Sequence, residues 1–314
     1  MKNCTEIDNK QEKNSKKLII FHPTIAPYRI DFFNDLYQAF DTKIYLYYEN
    51  LRNQTFNYEH IKNQFCFTPY YMKKQFGIGE RCFYKGHIKE ILRQKPDIVV
   101  TGEYSIGTWC AIIARILSRK KFSIVSICDD SEKMAQDCSA GRKISRELLL
   151  KRLNGLILCN DAVQKWYNKH SLIASCVFPI IHCDDIYRKQ LKGGEKKANQ
   201  LLTEYALAGK KVFIYVGRLS EEKNVPYLIK SFVKAHEANS DIVLFIVGDS
   251  GNAGTMVMDE CHKIVKETQA GSYVHFVGRK ENEELAAFYL IGQVLVLPSK
   301  CEAFGAVVNE ALLA

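Results

Sequence analysis

Two glutamates near the end of the sequence, Glu302 and Glu310, follow an apolar run that closes with Leu297-Pro298-Ser299. Upstream, Val212 to Val216 forms a second apolar run, and Gly217-Arg218-Leu219-Ser220-Glu221-Glu222-Lys223 follows it directly. Arginine grips phosphate oxygens bidentately and lysine supplies a point charge, so Arg218 and Lys223 suit a diphosphate. Carboxylates accept hydrogen bonds from sugar hydroxyls, so the pair of motifs suits a nucleotide sugar. Each motif also has a bland reading. The first could be a solvated turn carrying ordinary surface cations, and the second two solvated glutamates on a turn and a helix.

Context favours the chemical reading. Pro226 marks the start of a helix after the glycine turn. A strand-to-helix turn presents free N–H groups and the positive end of the helix dipole. Val294 to Pro298 reads as a core strand of a parallel sheet, and ligands of such sheets bind beyond the carboxyl ends of the strands. Glu302, Phe304 and Gly305 fall there.

The elements that must position these residues are legible as alternation. Short aliphatic runs predict strands at residues 17–22, 43–48, 97–101, 122–128 and 155–159, then at 211–217, 242–248, 273–277 and 293–297. Helical periodicity predicts helices at 28–40, 82–94, 105–118, 143–153 and 161–169, then at 225–237, 255–268, 282–290 and from 305 onward. The expected fold class is α/β, with two Rossmann-like domains facing each other across a cleft. The expected boundaries are a disordered tail at 1–16, a first domain at 17–180, a polar lysine-rich connector at 181–200 and a second domain at 201–314. The pattern stops mid-helix at Ala314 with four strands in the second domain, which reads as a truncated sequence.

At 314 residues the chain is long enough for two cores. Residues 1–200 carry a balance of +12 and residues 201–314 one of −3, so the basic character belongs to the first half. Its cations lie on helices, without interleaved stacking aromatics, which argues against nucleic acid. An anionic membrane surface or lipid phosphate is the favoured partner of that half. No run is long enough to span a bilayer, and residues 1–17 lack the apolar core of a secretory signal. The expected location is the cytoplasm, at most peripheral on the inner face of the plasma membrane. Eleven cysteines include no C-x-x-C pair, so reduced thiols are expected rather than zinc or disulfides.

The ordered set Gly217-Arg218-Leu219-x-x-x-Lys223, Val247-Gly248-Asp249, Phe276-Val277-Gly278 and Leu297-Pro298-Ser299-x-x-Glu302-x-Phe304-Gly305-x-x-x-x-Glu310-Ala311 resembles the donor domain of the retaining family-4 glycosyltransferases with the GT-B fold. The resemblance covers residues 210–314. It implies that Arg218 and Lys223 bind the donor diphosphate and stabilise the departing nucleoside diphosphate, while Glu302 holds hydroxyls of the transferred sugar. It further implies roles for Gly217 and Gly248 near the phosphates, for Phe304 and Gly305 through their N–H groups, for Glu310 at the ribose and for Arg279 near the base. The implied donor is a UDP- or GDP-sugar and the implied acceptor a glycan or lipid-linked glycan of the cell envelope. No cofactor is implied. No metal is expected either, because neither Asp129-Asp130 nor Asp184-Asp185 forms the D-x-D of metal-dependent transferases.

The first-strand loop, His22-Pro23-Thr24-Ile25-Ala26-Pro27-Tyr28-Arg29, departs from the glycine pair common in that family. Arg29 could reach an acceptor phosphate or sit on the helix surface. Glu103, Asp129 and Asp130, beyond predicted strand ends, are further candidates for acceptor or sugar contacts, with helix capping by Asp130 or Ser131 as the plain alternative. A non-catalytic nucleotide-sugar-binding or scaffolding protein of the same fold is the main rival. A phosphorylase lacks a segment suited to a Schiff-base lysine, and a dehydrogenase lacks G-x-G-x-x-G after its first strand.

Overall fold

A computed structural model of the chain describes residues 14–49, 61–78, 81–180, 184–251 and 254–314. The chain divides into two compact units that meet in sequence at Ile180 and Ile181.

The first unit is built on a seven-stranded sheet of β1 (Asn14–His22), β2 (Phe40–Leu46), β3 (Tyr70–Tyr71), β6 (Ile98–Gly102), β7 (Ser123–Cys128), β8 (Gly155–Leu158) and β9 (Ser175–Val177), in the order β3-β2-β1-β6-β7-β8-β9. All its pairings are parallel. Alternation in β1 splits the core into two layers. Ile19 and Phe21 pack with Ile91, Ala111, Ile112, Leu149 and Val163 on one face. Leu18 and Ile20 pack with Ile30, Phe33 and Ile61 on the other. A parallel sheet covered on both faces needs such near-continuous apolar strands.

The second unit holds a four-stranded parallel sheet of β10 (Lys211–Val216), β11 (Ile242–Val247), β12 (Val274–Gly278) and β13 (Val294–Leu295), ordered β12-β11-β10-β13. Every residue of β11 is buried, because helices cover both of its faces.

Three expectations are corrected. The helix predicted at 82–94 is shorter, His87–Gln94, because Arg81–Lys85 forms strand β5. That strand pairs antiparallel with β4 (Lys73–Ile78) in a separate hairpin, whose ladder satisfies the backbone that a helix turn would otherwise have satisfied. The stretch expected as a connector at 181–200 is largely the helix Asp184–Glu204, part of the second unit; residues 181–183 lie outside the described residues. Its Gly193-Gly194 pair, which suggests a linker, serves a helix contact. A Cβ on Gly194 would stand 2.9 Å from the Glu283 carbonyl oxygen and 3.0 Å from the Ala286 Cβ, so only glycine admits the helix Asn282–Ile291 this closely. Of the expected tail, residues 1–13 lie outside the described residues and Asn14 to Lys16 belong to β1.

Candidate functional site

In the second unit, the two motifs read from the sequence come together at the carboxyl ends of β10 and β13. The loop after β10 is anchored by Tyr215, a fully buried side chain whose hydroxyl donates to the Arg218 carbonyl at 2.6 Å. Asn224 takes the left-handed conformation (φ 57°) at the head of the helix Val225–Ala238, with Pro226 in its first turn. From there its side-chain amide donates to the Pro298 carbonyl at 3.3 Å. The Lys300 N–H donates to the Glu222 carbonyl at 2.8 Å. Three points therefore join the loops, and the third is chemical: Lys223 Nζ lies 2.5 Å from Glu302 Oε1. The Ser299 hydroxyl donates to the same oxygen at 2.6 Å. Lys223 and Glu302 are about four-fifths buried, 18% and 25% exposed, so solvent screens their attraction only partly. Arg218 is more open and meets Glu222 across 3.2 Å on the exposed side of the loop.

At Gly248, the glycine expected near the phosphates, the chain itself already makes a close approach. It lies at φ +147°, and a Cβ there would fall 1.9 Å from the Gly217 carbonyl oxygen. The closely approaching group is thus the neighbouring strand end. Gly217 N–H donates to the Val247 carbonyl at 3.0 Å, and Gly248 N–H to the Gly278 carbonyl at 2.9 Å, which locks three strand ends side by side. Arg279, just beyond, reaches Glu281 Oε1 with Nη2 at 2.7 Å and Nε at 3.0 Å.

Gly305 heads the helix Ala306–Leu313, and the half-buried Phe304 precedes it. One turn into that helix, Glu310 accepts a 2.7 Å hydrogen bond from the Tyr289 hydroxyl. Tyr289 is buried, and its burial, then the nearby Glu310 carboxylate, push its phenol well above the usual range. It stays protonated and orients Glu310. Sequence reasoning found Glu310 but not Tyr289, since nothing in the helix pattern distinguishes this tyrosine from a core aromatic. The substitution Tyr289→Phe is expected to destabilise the protein by about 1 kcal/mol in urea unfolding, the net worth of one hydrogen bond.

The acceptor candidates cluster in the first unit, at the carboxyl edge of its sheet. Arg29 is neither on the helix surface nor free. It is 3% exposed, its Nη2 pairs with Asp129 Oδ1, and its guanidinium lies 5.7 Å from the Phe32 ring centre and 5.9 Å from that of Phe178. Its Nε and Nη1 are buried with no partner among the described residues. Asp130 is 1% exposed and meets Arg142 at 3.0 Å, and the same guanidinium nitrogen reaches Glu103 at 3.2 Å. Helix capping falls to Ser131, which accepts from the Met134 N–H. Glu103 itself holds a left-handed backbone (φ 49°), an uncommon conformation for a residue with a side chain. Its carbonyl accepts from Thr108 and Ser126 at 2.8 and 2.7 Å, which fixes that turn. Arg142 was not foreseen; its partners are 12 and 39 residues away, beyond any local pattern.

Residues 203–314 match the family Glycosyl transferases group 1. The alpha-D-kanosaminyltransferase of Streptomyces kanamyceticus is 25% identical over 118 residues, 38% of this chain and 29% of that protein. The D-inositol 3-phosphate glycosyltransferase of Corynebacterium aurimucosum is 31% identical over 102 residues, 32% of this chain and 24% of that protein. The matched stretch thus spans about a quarter of the length of these curated relatives. Among solved structures, Anabaena HepE in complex with UDP superposes with a TM-score of 0.71 at 15% identity, covering 95% of this chain and 78% of that one. The fold is GT-B.

Proposed function

We propose that a chain with a group 1 glycosyl transferase domain, a GT-B fold and this pairing of Lys223 with Glu302 is a retaining glycosyltransferase. It moves a hexose-type unit from a nucleotide-diphosphate sugar to a glycan or lipid-linked acceptor of the cell envelope, in the cytoplasm. No helix among the described residues is long and apolar enough to cross a membrane. The observation that carries the reading is the ammonium–carboxylate pair between two strand ends, beside the head of the helix Ala306–Leu313.

In this reading the donor diphosphate competes with Glu302 for Lys223 and draws in the exposed Arg218. Glu302, released in part, accepts hydrogen bonds from the sugar. As the glycosidic bond breaks, negative charge grows on the leaving phosphate, and Arg218 and Lys223 are already fixed where it appears. The helix N-terminus adds a partial positive charge. The acceptor hydroxyl attacks the face from which the diphosphate departs and passes its proton to a phosphate oxygen, so the anomeric configuration is retained without an enzymic nucleophile. Glu310, held by Tyr289, takes the ribose hydroxyls. The network of Arg29, Asp129, Asp130, Glu103 and Arg142 takes the acceptor. These cations do the electrostatic work that metal-dependent transferases assign to a D-x-D-bound ion.

Titration calorimetry with UDP and GDP tests the donor half. UDP, the nucleotide bound in Anabaena HepE, is expected to bind with micromolar affinity, about −8 kcal/mol. Arg218→Ala and Glu310→Ala are each expected to weaken it about tenfold or more, since a hydrogen bond to a charged group contributes about 1.5–3 kcal/mol. Absence of binding by either nucleotide would favour the rival reading, a scaffold that keeps the fold without the donor.

A further inference from the structure

The first unit carries a further feature at the opposite edge of its sheet, where Asp97, Phe122 and Asn154 immediately precede β6, β7 and β8. An open cavity of about 500 Å³ lies there, a size that suits a small organic molecule. Arg115, Lys121 and Arg152 line it, and Ile112, Ile116 and Phe122 form an apolar wall. The carboxylate in the lining, Asp97, is already neutralised. Lys120 Nζ lies 2.7 Å from one of its oxygens, and the Lys17 N–H donates to the other at 2.8 Å. Neither Lys121 nor Arg152 takes part in an ion pair among the described residues. Burial, then the neighbouring Arg152 guanidinium, pulls the Arg115 pKa down. Like charges are therefore held close together with no carboxylate left to balance them.

The hydrogen bonding of this cavity is one-sided. Asn154 Oδ1 accepts from the Ile124 N–H at 2.9 Å and from Arg115 Nη1 at 2.8 Å. Two donors on one atom identify it as the amide oxygen, so the other atom is the nitrogen, which has only protons to offer. No group among the described residues takes those protons. Arg115 is pinned a second time, by donation to the Arg152 carbonyl. The Asp97 carboxylate, the Asn154 oxygen and the Arg152 carbonyl are thus all engaged as acceptors. What the cavity still offers is the Asn154 amide N–H, two guanidinium groups and the Lys121 ammonium, with the Ser123 hydroxyl beside them. Donors and positive charge with little accepting capacity fit a neutral hydroxylated ligand poorly, because its O–H protons find few partners. They fit a group that only accepts and carries negative charge, as an ionised phosphate does.

We propose that this cavity binds a soluble phosphate monoester, its phosphoryl oxygens held by Arg115, Lys121, Arg152 and the Asn154 amide, its carbon body against Ile112 and Ile116. The site is separate from the donor motifs, which belong to the second unit, and from the acceptor candidates at the carboxyl edge of the first. The test is titration calorimetry of the full chain with phenyl phosphate. Binding at millimolar affinity or tighter is expected. Benzenesulfonate, with one negative charge fewer, should bind about tenfold more weakly. Lys121→Gln with Arg152→Gln should weaken phenyl phosphate by about tenfold or more, through lost charge-assisted hydrogen bonds. Asn154→Asp is the sharper variant, because its carboxylate keeps both accepted hydrogen bonds while setting a negative charge among the three cations. It should also weaken the ligand about tenfold or more, with a melting temperature equal to the parent's or higher. Lys121, Arg152 and Asn154 are all exposed, so these exchanges leave the fold intact. Arg218→Ala should bind phenyl phosphate like the parent, which separates this site from the donor cations. A parent that does not bind phenyl phosphate overturns the proposal, as does an Asn154→Asp variant that binds like the parent. Loss of binding in Arg218→Ala alone would overturn it and assign the phosphate to the donor motifs. Phosphatidylglycerol vesicles that bind the parent but not Asn154→Asp, with no binding of phenyl phosphate, would overturn it and assign the cavity to a lipid headgroup.

Discussion

Replacing Lys223 with alanine is expected to lower kcat/KM for sugar transfer by about a hundred- to a thousandfold, the cost of removing one preorganised group aimed at developing charge. Two losses combine in this variant. The leaving diphosphate loses a cation that is already fixed in place, and Glu302 is left with the Ser299 hydroxyl alone at the oxygen both contact. Because charge grows only as the bond breaks, most of the loss should fall on kcat rather than on KM. The loops themselves should hold, since the Lys300–Glu222 and Asn224–Pro298 hydrogen bonds do not involve the Lys223 side chain. Initial rates with a radiolabelled donor, read beside a melting curve, separate the two effects. A rate within about threefold of the parent, with the fold intact, would remove Lys223 from the chemistry.

The second large effect is structural and lies at Gly248. The substitution Gly248→Ala puts a methyl group 1.9 Å from the Gly217 carbonyl oxygen, at a backbone φ of +147° that side chains rarely adopt. The obstructing atom is backbone in the adjacent strand end, so no rotamer change relieves the contact. Either β10 and β11 separate at Val216 and Val247, or the Gly217 turn moves and carries Arg218 with it. Backbone strain and overpacking each cost about 1–3 kcal/mol, so a destabilisation of about 3 kcal/mol or more is expected. That corresponds to a fall in Tm of roughly 6–12 °C, with loss of nucleotide binding. Gly271→Ala is the control. Its Cβ would meet nothing within 4 Å, and the expected change is within about 0.5 kcal/mol. Equal melting temperatures for the two variants would show that the strand ends can part freely.

Much of the fold was legible because parallel strands buried on both faces must be nearly continuous apolar runs. Ile242–Val247 is such a run, read as 242–248 and found with every residue buried. The failures were of one kind. Arg81–Lys85 joined the following helix in the periodic pattern, although a partner strand at Lys73–Ile78 claims it. The lysine-rich stretch 181–200 read as a connector, although most of it is a helix whose Gly194 leaves a neighbouring helix the space a side chain would occupy. In each case the decisive neighbour is remote or on another element, and a local pattern carries no record of it.

The sequence by itself determined the alternation of strands and helices, the asymmetry of charge and the ordered donor motifs, because each is set by residue type and local spacing. Only the tertiary structure decided that Lys223 pairs with Glu302, 79 residues away in the chain. It also decided that Tyr289 holds Glu310, and that Gly248 answers to Gly217. Arg29, open to either of two readings in the sequence, is buried against Asp129, 100 residues away. Such pairings depend on which strand ends and helices the packed core sets side by side. The core is a cooperative product of the whole chain, so no short segment can specify them.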